Sequence, residues 1–390
     1  MPSPLESLLN LSEVAVESYS QVEGCICLHL RILATKIPCP HCKKLTSELH
    51  QVRPILVRDL PTFGQPVYLR LPRRQFYCRH CQKYVTEKLD FISWRRRYTQ
   101  RYESHIYQRV LMSNIEQVSR EENLTPDEVE GIFSFISKSA KKKDWGAVKR
   151  LSMDEISKRK GAREFITVVS DVEQGCLLEV IDSHKQQDII EVLKQQPIEV
   201  RAQVTEVSVD MWAGFPKIIT EVFPKAAVVI DRFHVMKLVL ETLNKIRRLV
   251  GVKTKGSKYL LLKNHQDLTE SDKAQLEQIL SQSPCLRLAY EMKEEFREIY
   301  QTSKSVQSGM KKMHEWLVQA QVFYGKTAQT IREHLSGICN YFISGTTSGV
   351  MEGINNKIKL IMRLGYGLTN FENLRSRLLG CCLGSHSIGL

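Results

Sequence analysis

The sequence predicts a multidomain α/β protein, and three observations carry that expectation. Two Cys-x-x-Cys pairs lie near the N-terminus, a broken run of amphipathic helices follows them, and from about residue 148 short apolar strands alternate with helices. A length of 390 residues suits two or three domains. With 42% hydrophobic and 25% charged residues the chain can bury real cores, which excludes a wholly disordered chain, a collagen-like repeat and a disulfide mini-protein. No stretch reaches the roughly 18 consecutive apolar residues of a membrane span. Glu6, Glu13 and Glu17 precede the first Lys or Arg, Arg31, the reverse of a signal peptide, so the cysteines are expected in a reducing compartment.

The charge is uneven. Lys and Arg number 56 against 43 Asp and Glu, a net +13, which points to a polyanion, with nucleic acid ahead of a membrane surface. Residues 36–101 hold 15 basic and 4 acidic side chains, and residues 301–390 hold 10 and 4, whereas 151–200 holds 6 basic and 10 acidic. Basic ends around an acidic stretch read as DNA-contacting surfaces flanking a cation site.

Residues 1–35 form an N-terminal segment in which Cys25 and Cys27 sit in an apolar stretch, as strand residues rather than ligands. Over 36–90, Cys39-Pro40-His41-Cys42 and Cys78-Arg79-His80-Cys81 each offer two thiolates from a tight turn. Two such knuckles close a tetrahedral four-thiolate zinc site of the structural kind. The 35 residues between the pairs contain strand-like stretches at 54–57 and 66–71 with turns at 61–64, so a zinc ribbon with a long hairpin is expected. Arg70, Arg73, Arg74, Arg79 and the run Trp94-Arg95-Arg96-Arg97-Tyr98 put arginines beside aromatics, a combination suited to phosphate contact with stacking.

Over 98–140 the spacing predicts helices at 100–112, 115–122 and 126–138. Thr125 is the N-cap of the third, Pro126 its first residue, and Val129, Ile132, Phe133 and Ile136 lie on one face. A short helix, a tight turn and a following helix make a helix-turn-helix candidate. Lys141-Lys142-Lys143 reads as a linker that touches backbone phosphate.

Over 148–231 the expected order is three strands, helix, strand, helix, strand: a strand at 151–153 ending at Asp154, strands at 165–170 and 176–181, a helix at 186–196, a strand at 204–209 reaching Asp210, a helix at 214–223, and a strand at 226–230 ending at Asp231. Carboxylates at strand ends lie where ligands gather in such sheets. Residues 232–345 read as helices at 235–249, 270–280, 286–300, 305–324 and 327–342, with a basic loop at 253–258. Finally, over 346–382, Gly345-Thr346-Thr347-Ser348-Gly349 can cap a helix beginning near Val350. Val350, Ile354, Ile358 and Ile361 form its apolar stripe, and Glu352, Asn355, Asn356, Lys359 and Arg363 its polar one. Asp154, Asp210 and Glu352 together can bind two divalent cations, and a carboxylate set without His or Cys favours magnesium at a phosphate site, with Asn356 and Lys359 beside Glu352 to hold phosphate.

Asp154-Glu155, Asp210-Met211-Trp212, Asp231-Arg232-Phe233-His234 and the run Ser348 to Lys359 closely resemble the DDE transposases of the ISL-three insertion-sequence family, as do the zinc ribbon and helix-turn-helix. The resemblance covers about 36–382 and implies an RNase H-like catalytic core with an all-helical insertion. It also implies roles: Asp154 bridging two Mg2+ (or Mn2+) ions, Asp210 binding one and Glu352 the other. Asp231 and His234 match an Asp-x-x-His signature that helps hold the active site or DNA ends. Read on their own, Asp231 is equally a strand-end turn residue and His234 a packed helix-start residue. The implied partners are double-stranded DNA, as terminal inverted repeats gripped through Arg73, Arg74, Arg95, Arg96, Arg97, Asn356 and Lys359 and as target DNA, and further copies in a synaptic complex, a homodimer or higher. The implied setting is the bacterial cytoplasm, at the nucleoid. The expected activity is hydrolysis of a phosphodiester followed by strand transfer. Two alternatives stay open: a zinc and helix-turn-helix DNA-binding regulator without catalysis, and a nuclease that cuts without joining.

Overall fold

A computed structural model describes residues 4–140, 145–158, 164–345, 349–364 and 370–382. The lysine run at 141–143, the loop at 346–348 and the side chain of Val350 lie outside that description. The chain forms two compact units, Met1–Lys141 and Lys142–Leu390.

The first unit opens with α1 (Pro4–Leu9) and the strands β1 (Val14–Val22) and β2 (Cys25–Ile32), then a small pair β3 (Ile37–Pro38) and β4 (Leu45–Thr46), then β5 (Glu48–Thr62), β6 (Gln65–Cys78) and β7 (Lys83–Thr86). The main sheet runs β1-β2-β6-β5, with β7 added to the end of β6. The long hairpin expected between the cysteine pairs is β5–β6. Its two-residue loop, Phe63-Gly64, has φ of 50° and 76°, and the β1–β2 loop, Glu23-Gly24, repeats this with 49° and 75°. Positive φ at both positions makes the turn whose twist matches paired strands. Cys25 and Cys27 are strand residues of β2. Leu28, Val57, Val67, Leu69 and Leu71 fill the core of this sheet.

Three helices follow: α2 (Gln100–Met112), α3 (Ile115–Glu122) and α4 (Pro126–Ala140). Thr99 caps α2 and Asn114 caps α3. Thr125 and Glu128 form a reciprocal cap on α4, each side chain accepting from the other's backbone N–H. A buried polar hub pins the helices to β5. Glu122 accepts from Arg58 (3.4 Å) and from the Tyr102 hydroxyl (3.0 Å), and pairs with Arg109. Asp59 accepts from Thr99 (2.7 Å) and Arg101 (2.7 Å).

The second unit is built on β8 (Arg150–Ser157), β9 (Phe165–Asp171), β10 (Cys176–Ile181), β11 (Glu206–Val209) and β12 (Ala227–Ile230), in the order β10-β9-β8-β11-β12. β9 is antiparallel to both neighbours, while β8, β11 and β12 are parallel. The crossovers are α5 (Gln186–Leu193) with α6 (Ile198–Arg201), and α7 (Phe215–Val222). From β12 to residue 344 the described chain is helical: α8 (Arg232–Leu249), α9 (Ser257–Leu262), a 3-10 turn at 265–267, α10 (Glu270–Leu280), α11 (Pro284–Thr302), α12 (Val306–Glu333), α13 (Leu335–Cys339) and α14 (Tyr341–Ser344). The break expected near residue 325 is a kink inside α12, where Gly325 leaves helical geometry (φ 8°, ψ −89°). The last helices are α15 (Gly349–Leu364) and α16 (Phe371–Cys382).

Alternation along the strands divides two cores. Ile156, Ile166, Val168, Leu177 and Val180 face Ile354, Ile358 and Ile361 of α15 and Leu374 and Leu378 of α16. Leu151, Met153, Val169 and Leu178 face the other side, where α5, α7 and the long helices pack. The apolar stripe of α15 therefore seats it on the sheet and turns its polar stripe to the strand ends.

Candidate functional site

Strand register gathers the acids. In β11, Ser208 pairs with Ser152 of β8 and Val209 with Ile230 of β12. Asp210 and Asp231 are the next residues after Val209 and Ile230, and Asp154 lies two beyond Ser152. Asp154 was expected at a strand end, and here the structure differs. β8 continues to Ser157 because it stays paired with β9 through Ser157–Phe165, although its parallel pairing with β11 stops at Ser152. Asp154 is thus mid-strand on one side and at an opening on the other.

Each of these carboxylates is held by a nearby backbone N–H. Asp154 Oδ1 accepts from Glu155 (2.8 Å), Asp210 Oδ1 from Trp212 (2.8 Å) and Asp231 Oδ1 from Phe233 (2.9 Å), which makes Asp231 the N-cap of α8. His234, one turn into α8, lies 3.8 Å from Asp231. The polar stripe of α15 completes the wall. Asp154, Asp210, Asp231, His234, Glu352, Asn355, Asn356 and Lys359 all line one cleft of about 270 Å³, together with Glu155, Phe233 and Lys237. Asn355 Nδ2 donates to Asp154 Oδ2 at 2.6 Å, joining residues 201 positions apart.

Burial raises the pKa of Asp154 above the usual carboxylate range. The positive field of His234 and the donors on Glu155 and Asn355 oppose that rise, and the charge of Asp210 adds to it. Glu155 is raised as well, by burial and then by Asp210. Glu155 Oε1 and Asn355 Oδ1 are buried acceptors with no hydrogen-bond partner. A cleft lined by oxygen donors, two of them unsatisfied, suits a hard divalent cation. Sequence reasoning passed over Glu155 and Lys237. The signal for Asn355 was its place on the polar stripe, one turn after Glu352.

The four cysteines of the first unit form a compact cluster. Cys39, Cys42, Cys78 and Cys81 bring their sulfurs within 4.8 Å of one another, with Cys39–Cys81 at 3.5 Å and Cys42–Cys78 at 3.6 Å. Among the described residues this is the sole cluster of three or more His, Cys, Asp or Glu ligand atoms that tight. The two knuckles share one device: the residue after each second cysteine, Lys43 and Gln82, has positive φ (61° and 53°), which curls the turn around the sulfurs. The backbone N–H of Cys42 holds the Cys39 thiol down at about 6, whereas burial and the neighbouring thiols push Cys81 up to about 12. Four convergent thiols with one already acidic fit a closed structural zinc site.

The arginines divide. Arg73, Arg95, Arg96 and Arg97 line a second cleft, of about 720 Å³, with Tyr98 and the turn before α4. Arg95 and Arg97 are exposed, and Arg73 stacks over Trp94 at 5.0 Å. Arg74 instead grips the buried Glu87 with two nitrogens (2.8 and 2.5 Å), and Arg96 pairs with the fully buried Glu103 (2.5 Å). Those two guanidiniums hold the unit together.

Comparisons with known proteins agree with this division. Residues 151–378 match the ISL3 DDE family model described as a transposase, residues 35–81 the zinc-finger of transposase IS204/IS1001/IS1096/IS1165, and residues 87–136 the helix-turn-helix domain of transposase family ISL3. The chain is 27% identical over 360 residues to the transposase for insertion sequence element IS1001 of Bordetella parapertussis, with 88% of each chain covered. It is 28% identical over 262 residues to the transposase for IS1557 of Mycobacterium tuberculosis, with 58% of each covered. Among the described residues, no helix is long and apolar enough to cross a membrane.

Proposed function

The chain belongs to the ISL3 transposase family, and from that premise we propose that it cuts and joins DNA at the cleft between β8, β11, β12 and α15. The observation that carries the proposal is the convergence of Asp154, Asp210 and Glu352 on one cleft from three separate elements. The strand order β10-β9-β8-β11-β12, with β9 reversed, supports an RNase H-like core in which α8 to α14 form a helical insertion before the final catalytic helix.

In this reading Asp154, Asp210 and Glu352 hold two Mg2+ or Mn2+ ions. Bound there, such ions would lower the pKa of an attacking water and neutralise charge on the scissile phosphate. Asn355 keeps the Asp154 carboxylate turned into the cleft, and Lys359, Lys237 and Asn356 face the phosphate. Asp231 and His234 brace the start of α8 beside the acids. Hydrolysis frees a 3′-hydroxyl, and that hydroxyl attacks a second phosphodiester with loss of the 3′-oxygen leaving group, so no covalent protein intermediate is needed. Zinc on the four cysteines shapes the ribbon, and the helix-turn-helix with Arg73, Arg95 and Arg97 grips the terminal inverted repeats. Two DNA ends handled together call for a dimer or larger synaptic complex.

The test is an excision and joining assay with a donor carrying the gene's own flanking DNA, in magnesium, with wild type beside Asp210→Asn. Cut and joined products from wild type alone are expected. Tight binding without cleavage, in magnesium or manganese, overturns the reading in favour of a DNA-binding regulator, and cutting without joining favours a nuclease.

A further inference from the structure

Between Glu241 and Asp267 the chain carries seven cations and no acid. Five of them, Lys245, Arg248, Lys253, Lys255 and Lys258, are exposed, and none has a carboxylate partner among the described residues. The loop that joins α8 to α9 is built, not slack. The Arg247 guanidinium donates to the Val252 carbonyl (2.7 Å) and the Ser257 hydroxyl (3.4 Å), and its Nε to Asn244 (3.0 Å). Gln282 of the neighbouring α10–α11 turn donates to Thr254 (3.2 Å). Val252 and Ser257 are buried at 3% and 1% exposure. One cation is therefore spent inside the loop as a brace, while its neighbours are presented outward on a fixed frame. Unpaired lysines held close together repel one another, and that arrangement is stabilised by an anion laid across them.

We propose that this loop is a second DNA-binding surface, which grips the backbone of the duplex whose phosphate occupies the cleft. The proposal rests on the reading of the cleft as the reaction site. α8 supplies the geometry. Its N-cap is Asp231 in the cleft, and it runs 18 residues to the loop. At about 1.5 Å per residue that is about 27 Å, or about eight base pairs of duplex at about 3.4 Å each. The exposed face of α8 carries Lys237 and Lys245 along the way, with one acid, Glu241, between them. Lysine contacts of this kind read phosphate and not base sequence.

The experiment uses the full chain with p-benzoylphenylalanine in place of Tyr259, which is exposed beside Lys258, and a duplex carrying the gene's flanking DNA. Irradiation is expected to cross-link the probe about eight base pairs from the reacting phosphate. The triple variant Lys253→Gln, Lys255→Gln, Lys258→Gln is expected to lose the cross-link. The slope of log affinity against log salt should fall by about 1 per lysine, and binding near 0.1 M salt should weaken more than tenfold, with an unchanged circular dichroism spectrum. An unchanged slope with no cross-link overturns the proposal, as does binding of the loop to anionic vesicles in preference to DNA. Asp210→Asn separates the two readings. If that variant still cuts, the cleft assignment fails whatever the loop does. If it stops cutting while position 259 never meets DNA, the loop assignment alone fails.

Discussion

Replacing Asn355 by Ala perturbs the cleft at one defined point. Asp154 has one oxygen held by the Glu155 N–H and the other by Asn355 Nδ2 at 2.6 Å. The first bond alone leaves the carboxylate free to swing about it. A hydrogen bond to a charged group contributes about 1.5–3 kcal/mol, and loss of a residue that orients a metal ligand commonly lowers cation affinity about 10- to 100-fold. The two ranges agree, since about 1.4 kcal/mol is a factor of ten. Mn2+ binding in the presence of a DNA end, followed by the loss of the free-ion electron paramagnetic resonance signal, should therefore weaken by that factor, with DNA affinity unchanged. The pH dependence has a definite sign. The Asn355 donor lowers the Asp154 pKa against the larger effect of burial, which raises it. Removing the donor raises it further. Cation binding needs the ionised carboxylate and fails as pH falls through its pKa, so the acid limb of cleavage moves to higher pH in the Ala variant. Mn2+ affinity and an acid limb both equal to wild type would refute the argument.

Three further outcomes follow from the same geometry. Glu122→Ala strands the Arg58 guanidinium, whose side chain is 8% exposed, and should destabilise the first unit by about 3–5 kcal/mol, read in its denaturant transition; Glu122→Gln should cost less. Asp154 has a raised folded pKa, so the cation-free protein loses stability as pH climbs from the ordinary carboxylate value through the raised one; Asp154→Asn should melt above wild type at pH 7 without divalent cation, and Mn2+ should raise the melting temperature of wild type alone. Chelation of zinc should release one ion per chain in a colorimetric zinc assay and abolish DNA binding, Cys78→Ser should lose both the ion and DNA binding, and zinc retention should fall as pH drops because the thiols must be ionised to hold the ion.

What was legible in the sequence follows physical scale. Helices α2 to α4 carry their own punctuation, and caps at Asn123 to Pro126 put boundaries within reach of local reading. The same holds for the knuckles, where spacing alone implies four convergent sulfurs. Strand β1 passed unread because one face of it is exposed and polar, and of β2 only Cys25 and Cys27 were read as strand residues, since its partner β6 lies some 40 residues on. Ending β8 at Asp154 treated a carboxylate as a terminator, although pairing with β9 continues through Ile156 and Ile166. α9 and α16 also passed unread, the first being only 6 residues long. Arginine roles were the least legible. Arg74 and Arg73 are neighbours with the same chemistry, and only the tertiary placement of Glu87 makes one a brace and leaves the other facing a cleft.

The central claim is that three carboxylates from β8, β11 and α15 perform one phosphodiester chemistry. Its most direct measurement is cleavage of end-bearing DNA in magnesium by Asp154→Asn, Asp210→Asn and Glu352→Gln, each assayed beside wild type at equal DNA occupancy. The account predicts that every one of the three loses at least about a thousandfold in rate, because each removes charge from the site that stabilises the reacting phosphate. A single variant among them cutting within tenfold of wild type would contradict it.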